Sequence, residues 1–234
     1  MGDAMKPMKF EDQDLSRINE YVALAERYVP GRVAIFAIVE SAFHELLTAD
    51  RAKILVLGAG GGEEILRLGT ENPSWSFVGV DTFEPMVEMA KVRLASSPVG
   101  ERAVVHTTAI DQLDETGFDA ATCILTAHFV PDDGSKRAFF EAIRARMKPG
   151  APLAIVDGVG VAGERDTELL RRIWVRHAMR NGVPEAEAQK NAQNFSNIPV
   201  VSAEREEELL LAAGFKDLVP IFQGLAIKGW LAFA

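Results

Sequence analysis

Ile54-Leu55-Val56-Leu57-Gly58-Ala59-Gly60-Gly61-Gly62-Glu63-Glu64 is the stretch on which the fold turns. Its first four residues are uniformly apolar, as in a strand buried on both faces of a parallel sheet. The glycines that follow permit positive φ and let a ligand approach the backbone closely. Residues from Gly62 to Leu68 then read as a helix. Strand, glycine turn and helix in that order put a ligand site at the carboxyl edge of an α/β sheet.

Helical and strand-like segments alternate outward from this stretch, which is the pattern of an α/β fold. Upstream, Val33 to Leu47 is an apolar-rich helix behind the turn Pro30-Gly31. Downstream, Ser76 to Val80 is a second strand. Pro85 to Ala95 is a helix with an early proline, where the missing N–H costs little. Ala103 to His106, Asp119 to Leu125 and Pro152 to Asp157 are three further strands. Lys136 to Met147 is a helix stopped by Lys148-Pro149-Gly150. The rhythm breaks after the fifth strand. Residues from about Glu164 to Ser196 read as two helices with no strand between them, an inserted lid. Ala203 to Ala213 is another helix, ended by Gly214. Leu218 to Gln223 and Ile227 to Phe233 are strand-like and too close for a crossover helix, so they are expected to pair antiparallel. The expected architecture is a doubly wound, seven-stranded sheet with a terminal antiparallel hairpin. Residues 1–50 form a helical cap, 51–234 the main domain, and about 160–200 the lid.

Composition narrows the function classes. The chain has 234 residues, 48% hydrophobic and 25% charged, enough for one sizeable core. No apolar run reaches the ~20 residues of a membrane span. Met1 to Phe10 is polar and unlike a secretory signal, so a cytoplasmic location is expected. The net charge of −9 argues against nucleic acid as a partner and for a small molecule or a protein. Cys123 is the one cysteine. It lies in an apolar run and reads as a buried, inert thiol, and no metal site is expected.

The glycine loop alone fits several nucleotides. A dinucleotide fingerprint wants Gly or Ala at the position of Glu63. Glu63 and Glu64 instead put negative charge at the helix start, which is read as repelling a pyrophosphate. Asp81, in Val78-Gly79-Val80-Asp81-Thr82, ends the second strand about twenty residues past the loop. An acid there accepts hydrogen bonds from ribose hydroxyls, or simply closes a turn. Met86 lies under an adenine ring or in the core.

These features in order, with Ala109-Ile110 after the third strand and Gly214-Phe215 before the hairpin, resemble the class I S-adenosylmethionine-dependent methyltransferases, a Rossmann-like family. The resemblance spans nearly all of the chain after residue 50. It implies S-adenosylmethionine as cofactor. It places Gly58, Ala59 and Gly60 at the loop, Asp81 and Thr82 at the ribose, Met86, Ala109 and Ile110 near adenine, and Leu125 at the end of the fourth strand. The family often has an acid where this chain has Ala109, so the contact to the adenine amino group shifts to Asp111, and the Ile110 backbone N–H still serves adenine.

Tyr28-Val29-Pro30-Gly31-Arg32, Thr126-Ala127-His128-Phe129-Val130, Asn181-Gly182-Val183-Pro184 and Gln189-Lys190 resemble, more narrowly, the carboxy-S-adenosylmethionine synthases and their methyltransferase cousins. The synthase resemblance implies an arginine where this chain has Asn191, and a tyrosine where it has Arg32. Asparagine offers no charged fork to a carboxylate. Both departures favour ordinary methyl transfer. Arg32 then serves the methionine carboxylate or is a solvated helix-start residue. The relatives imply a homodimer.

Candidate catalytic groups lie at the carboxyl edge. His128 follows the fourth strand and Asp157 ends the fifth. Each is a base candidate or a structural residue. His177 shares a helical face with Leu170 and Trp174, which reads as core packing or as a lid facing the acceptor. Phe195 is a candidate for closing on that acceptor. Arg172, Arg176 and Arg180 form a stripe that is a solvated face, or else meets an anion or a second subunit. The expected function is methyl transfer to a small-molecule acceptor. The carboxylated-cofactor synthase, a non-catalytic cofactor-binding module and an NAD oxidoreductase are the alternatives.

Overall fold

The computed structural model describes residues 23–234, so the start of the cap lies outside the described residues. Seven strands form one sheet: β1 (Ala52–Leu57), β2 (Trp75–Asp81), β3 (Ala103–Thr107), β4 (Ala120–Ile124), β5 (Pro152–Gly158), β6 (Lys216–Gly224) and β7 (Ile227–Phe233). Their order is β3-β2-β1-β4-β5-β7-β6. β1 to β5 pair parallel, and β7 runs antiparallel to both β5 and β6. The chain winds from β1 outward to β3 and then returns to β4 on the other side. The strand order therefore reverses at β1 and β4, and their carboxyl ends open the crevice where such sheets bind ligands. The expected doubly wound sheet and its closing hairpin are both present.

The seven helices bounded within the described residues are α1 (Arg32–Leu46), α2 (Glu63–Glu71), α3 (Glu84–Ala95), α4 (Ser135–Arg146), α5 (Arg165–Arg180), α6 (Glu185–Phe195) and α7 (Ala203–Ala212). Successive strand residues point to opposite faces, so a strand buried on both sides feeds two cores. Ile54 and Val56 join Ile35, Val39 and Phe43 of α1, Ile65 and Leu68 of α2, and Val87 of α3. Leu55 and Leu57 join Phe140 and Ile143 of α4 and Leu209 and Leu210 of α7. β6 is an edge strand, the position where Pro220 removes no needed ladder donor, and its register against β7 is interrupted twice.

α5 and α6 are the two helices inserted between β5 and α7, where the lid is expected. They share a small cluster of their own, Tyr28, Ala178, Val183 and Ala188, with Trp174 and Met179 packed against it. Tyr28 stacks on Trp174 at 5.1 Å. The lid is thus pinned to the segment just before α1. Among the described residues no helix is long and apolar enough to cross a membrane.

Candidate active site

The loop after β1 is built by left-handed backbone. Gly58, Gly60 and Gly62 have φ of 63°, 48° and 75°. At Gly58 a Cβ would stand 2.1 Å from Thr126 Oγ1, so glycine alone fits there. The Ala59 N–H donates to Val80 O at 3.0 Å, tying the loop to β2. Gly60 N–H donates to Asp81 Oδ2 at 2.9 Å, and Phe83 N–H donates to Asp81 Oδ1 at 2.9 Å. A carboxylate offers about four lone-pair sites, so each oxygen of Asp81 keeps capacity for another donor. The turn role and the ribose role proposed for Asp81 are therefore compatible. Met86 is half-buried, with Cε 3.4 Å from the point a Gly60 Cβ would occupy, and it lies against the loop. Thr82 is exposed beside Asp81. Beyond β3, Ala109 is half-buried and Ile110 buried, and the Ile110 N–H has no hydrogen-bond partner among the described residues. Leu125 sits at φ 54°, a costly region for a branched side chain, and its N–H donates to Val156 O at 2.7 Å.

One expectation about this loop is corrected. Glu63 and Glu64 do not present bare negative charge at the helix start. Arg32 grips Glu63 with two parallel bonds of 2.8 and 2.7 Å, and Arg67 Nε adds a third at 2.8 Å. Burial alone would raise the Glu63 carboxyl, but the two guanidiniums outweigh it and hold it below the usual range. Glu64 is turned inward, with Oε1 buried and unpartnered. Burial pushes its carboxyl up to about 7, against smaller opposing effects of the Thr122 hydroxyl and Arg32. Arg32 is accordingly no solvated residue, for its side chain is 14% exposed and clamped on Glu63. Arg93 closes the loop from below by donating to Gly61 O at 2.7 Å.

A single helical turn, Ala127–Phe129, follows β4 and delivers His128 to the end of β5. His128 Nδ1 stands 2.6 Å from Asp157 Oδ1, and both side chains are buried. The Gly158 N–H also points at Nδ1, but at 3.4 Å, so the 2.6 Å carboxylate contact decides the tautomer: the imidazole proton is assigned to Nδ1 and the lone pair to Nε2. Nε2 makes no hydrogen bond among the described residues and is not among the sealed-off polar atoms. The Phe129 ring lies 4.3 Å from the His128 ring and is 59% exposed. The two base candidates thus form one dyad.

Behind the dyad lie two ionisable groups that the sequence reading passed over. Lys136 Nζ stands 2.8 Å from Glu206 Oε2, an ion pair outside hydrogen-bond angles, and 3.7 Å from Asp157 Oδ2. Both side chains are wholly buried. Burial and the Asp157 charge push the Glu206 carboxyl up to about 7, against the pull of Lys136. A signal was present. Lys136 precedes Phe140 and Ile143 at helical spacing, and Glu206 shares the stripe of Ala203, Leu209, Leu210 and Ala213. A lysine and a glutamate on two buried stripes are a complementary pair.

The remaining candidates are placed elsewhere. His177 Nε2 pairs with Asn181 Nδ2 at 3.0 Å on its own helix end, and no contact among the described residues joins it to His128 or Asp157. Phe195 meets Trp174 edge-on at 5.0 Å. Asn191 Nδ2 donates to the Tyr28 hydroxyl at 2.5 Å. Arg172 and Arg176 face a groove between α5 and α6. Cys123 is buried, and burial pushes its thiol well up, as an inert thiol requires.

Residues 55–153 match the family described as Methyltransferase domain. Along nearly its whole length the chain is also similar to the carboxy-S-adenosyl-L-methionine synthase of Campylobacter fetus subsp. fetus (strain 82-40). The two are 24% identical, over 97% of this chain and 95% of the relative. Among solved structures, a SAM dependent methyltransferase from Aquifex aeolicus superposes with a TM-score of 0.58 at 20% identity, covering 94% of this chain and 98% of that one. The [4+2]-cyclase SpnF superposes with a TM-score of 0.56 at 18% identity, covering 78% of this chain and 58% of that one. These superpositions establish the fold. The cyclase is a reminder that chemistry must be argued from the site.

Proposed function

We propose that the protein is an S-adenosylmethionine-dependent methyltransferase acting on a small-molecule acceptor, with His128 as general base and Asp157 as its orienting partner. The observation that carries the reading is the buried 2.6 Å contact of His128 with Asp157 at the carboxyl ends of β4 and β5, with Nε2 left without a hydrogen-bond partner among the described residues. The residues present fit the cofactor. Gly58 is kept as glycine by Thr126, while the left-handed Gly60, with only Met86 Cε and Gly58 O within 4 Å of an added Cβ, exposes backbone that a ligand can approach beside Ala59. Asp81 keeps acceptor capacity for the ribose hydroxyls, next to Thr82. The Ile110 N–H is the donor for adenine, with Met86, Ala109 and Leu125 lining the site. Arg32 keeps its outer N–H groups for the methionine carboxylate while bound to Glu63. When bound, S-adenosylmethionine supplies an electrophilic methyl group.

The protein supplies alignment and a base. A base matters only where the attacking atom carries a proton, so the acceptor is a compound that loses a proton from that atom. His128 Nε2 takes that proton as the acceptor is methylated, and Asp157 stabilises the imidazolium that forms. Phe129, exposed beside the ring, suits an acceptor with an apolar or aromatic body. His177, bonded to Asn181, is assigned to the lid. A cytoplasmic location, expected from the composition, and the homodimer that the resemblance implies belong to the same proposal.

The synthase reading is favoured by the relative's name and the length of the match. Against it, the asparagine in place of the expected arginine is committed to Tyr28. Mass spectrometry of freshly purified protein separates the two, since carboxy-S-adenosylmethionine in the eluate would establish the synthase. For methyl transfer, His128→Gln is expected to lower turnover to S-adenosylhomocysteine by roughly 10²–10⁴ across an acceptor panel. Its affinity for S-adenosylhomocysteine, measured by calorimetry, should change less than about threefold. Full activity in this variant would remove His128 from the mechanism.

A further inference from the structure

Four ionisable side chains from four separate elements meet where no water reaches most of them. His128 comes from the turn after β4, Lys136 from α4, Asp157 from β5 and Glu206 from α7. Burying ions in this way is expensive, and well-packed apolar groups of the same volume are often as stable or more so. A purely structural role is therefore a poor reason to keep the cluster. The cluster also ends on an imidazole whose Nε2 has no hydrogen-bond partner among the described residues.

The geometry gives Lys136 two owners. Its ammonium is 2.8 Å from Glu206 and 3.7 Å from Asp157. While Glu206 is ionised, it holds the ammonium, and the Asp157 charge is left to act on His128. Once Glu206 is neutral, nothing opposes Asp157 drawing the ammonium closer, which weakens its hold on the imidazole. The other titratable groups around the cluster are Cys123 on β4, Asp132 in the loop before α4, and Lys228 on β7, opposite Asp157 in register. The Cys123 thiol is pushed up by burial and stays protonated.

We infer that Lys136 and Glu206 are positioning residues, and that the sharing of the Lys136 ammonium between Glu206 and Asp157 sets how strongly His128 holds a proton. The inference rests on the reading of His128 as the base. It makes α7, which touches no part of the glycine loop in the contacts described above, a control element for the reaction.

The test is acceptor-free. The 234-residue protein labelled at histidine ¹³Cε1 carries four such resonances, and His128→Gln assigns the one concerned. Glu206→Gln is expected to move the His128 titration midpoint down by about one pH unit. Glu206→Asp keeps the charge and should restore it to within about 0.3 unit. An unmoved midpoint in Glu206→Gln overturns the inference. So does a midpoint in Glu206→Asp that falls as far as in Glu206→Gln, since that would report packing and not charge. Should Glu206→Gln fail to fold, the wild-type protein decides. Its His128 curve must carry a second inflection where the ¹³C-labelled Glu206 carboxyl titrates, and a single inflection overturns the inference. Calorimetry with S-adenosylhomocysteine on the same samples separates the two readings. No binding defeats the methyltransferase proposal and leaves the titration result standing.

Discussion

Glu64→Gln isolates a single buried carboxyl whose ionisation opposes folding. Glu64 lies in the first turn of α2, with Oε1 buried and unpartnered. Burial raises it from the ordinary 4.5 to about 7, with Glu63 adding to the rise and Thr122 and Arg32 opposing it. Below pH 4.5 the group is protonated both folded and unfolded, and ionisation contributes nothing. Between 4.5 and about 7 the unfolded chain releases the proton while the folded protein keeps it, so stability falls as pH rises. Above about 7 the deficit is complete and constant. The gap, at about 1.4 kcal/mol per pH unit, amounts to about 3 kcal/mol. Glutamine has the shape of the protonated acid and no titration. The variant is therefore expected to match wild type near pH 4.5 and to exceed its stability by about 3 kcal/mol at pH 8. Urea unfolding across this range measures the difference, provided the slope m is common to both proteins. A difference independent of pH, or a variant less stable at pH 8, would refute the reasoning and mean that the ionised carboxylate has a partner.

Two further substitutions probe the loop. Asp81→Ala removes the acceptor for Gly60 N–H and Phe83 N–H together with the proposed ribose acceptor. Hydrogen bonds to a charged group contribute about 1.5–3 kcal/mol, so affinity for S-adenosylhomocysteine should fall at least about tenfold by calorimetry. Unchanged affinity would remove Asp81 from the cofactor site. Gly58→Ala forces a Cβ to 2.1 Å from Thr126 Oγ1 at φ 63°, and is expected to destabilise by about 3 kcal/mol in urea unfolding. Adding Thr126→Ala should recover the steric part and leave about 1–2 kcal/mol of left-handed strain. No recovery in the double variant would mean that the clash is relieved some other way.

Much of the fold is legible because its determinants are local. An apolar strand, left-handed glycines and a helix start are consecutive in the chain, and the closing hairpin follows from two strands too near for a crossover. The glycine loop and Asp81 share this advantage, since the strand they frame sets their spacing. The charge at the loop is not legible in the sequence, for the opposite reason. Glu63 is neutralised by Arg32, 31 residues upstream, and no local pattern announces that pairing. The basic stripe on α5 likewise carried no information about what it faces.

The sequence by itself determined the sheet, its binding edge and, besides His177 on the helix of the insertion, the two residues His128 and Asp157 at which chemistry was to be sought. Each was then an isolated candidate at a strand end. Only the tertiary structure decided that they are one dyad, because β4 and β5 are neighbours and bring side chains 29 residues apart to 2.6 Å. It also decided that Lys136 and Glu206 back the dyad, since α4 and α7 pack their apolar stripes on the same face of the sheet. Hydrophobic periodicity reports which face of a helix is buried. It does not report which buried charge meets which, and that is settled only where the faces close on one another.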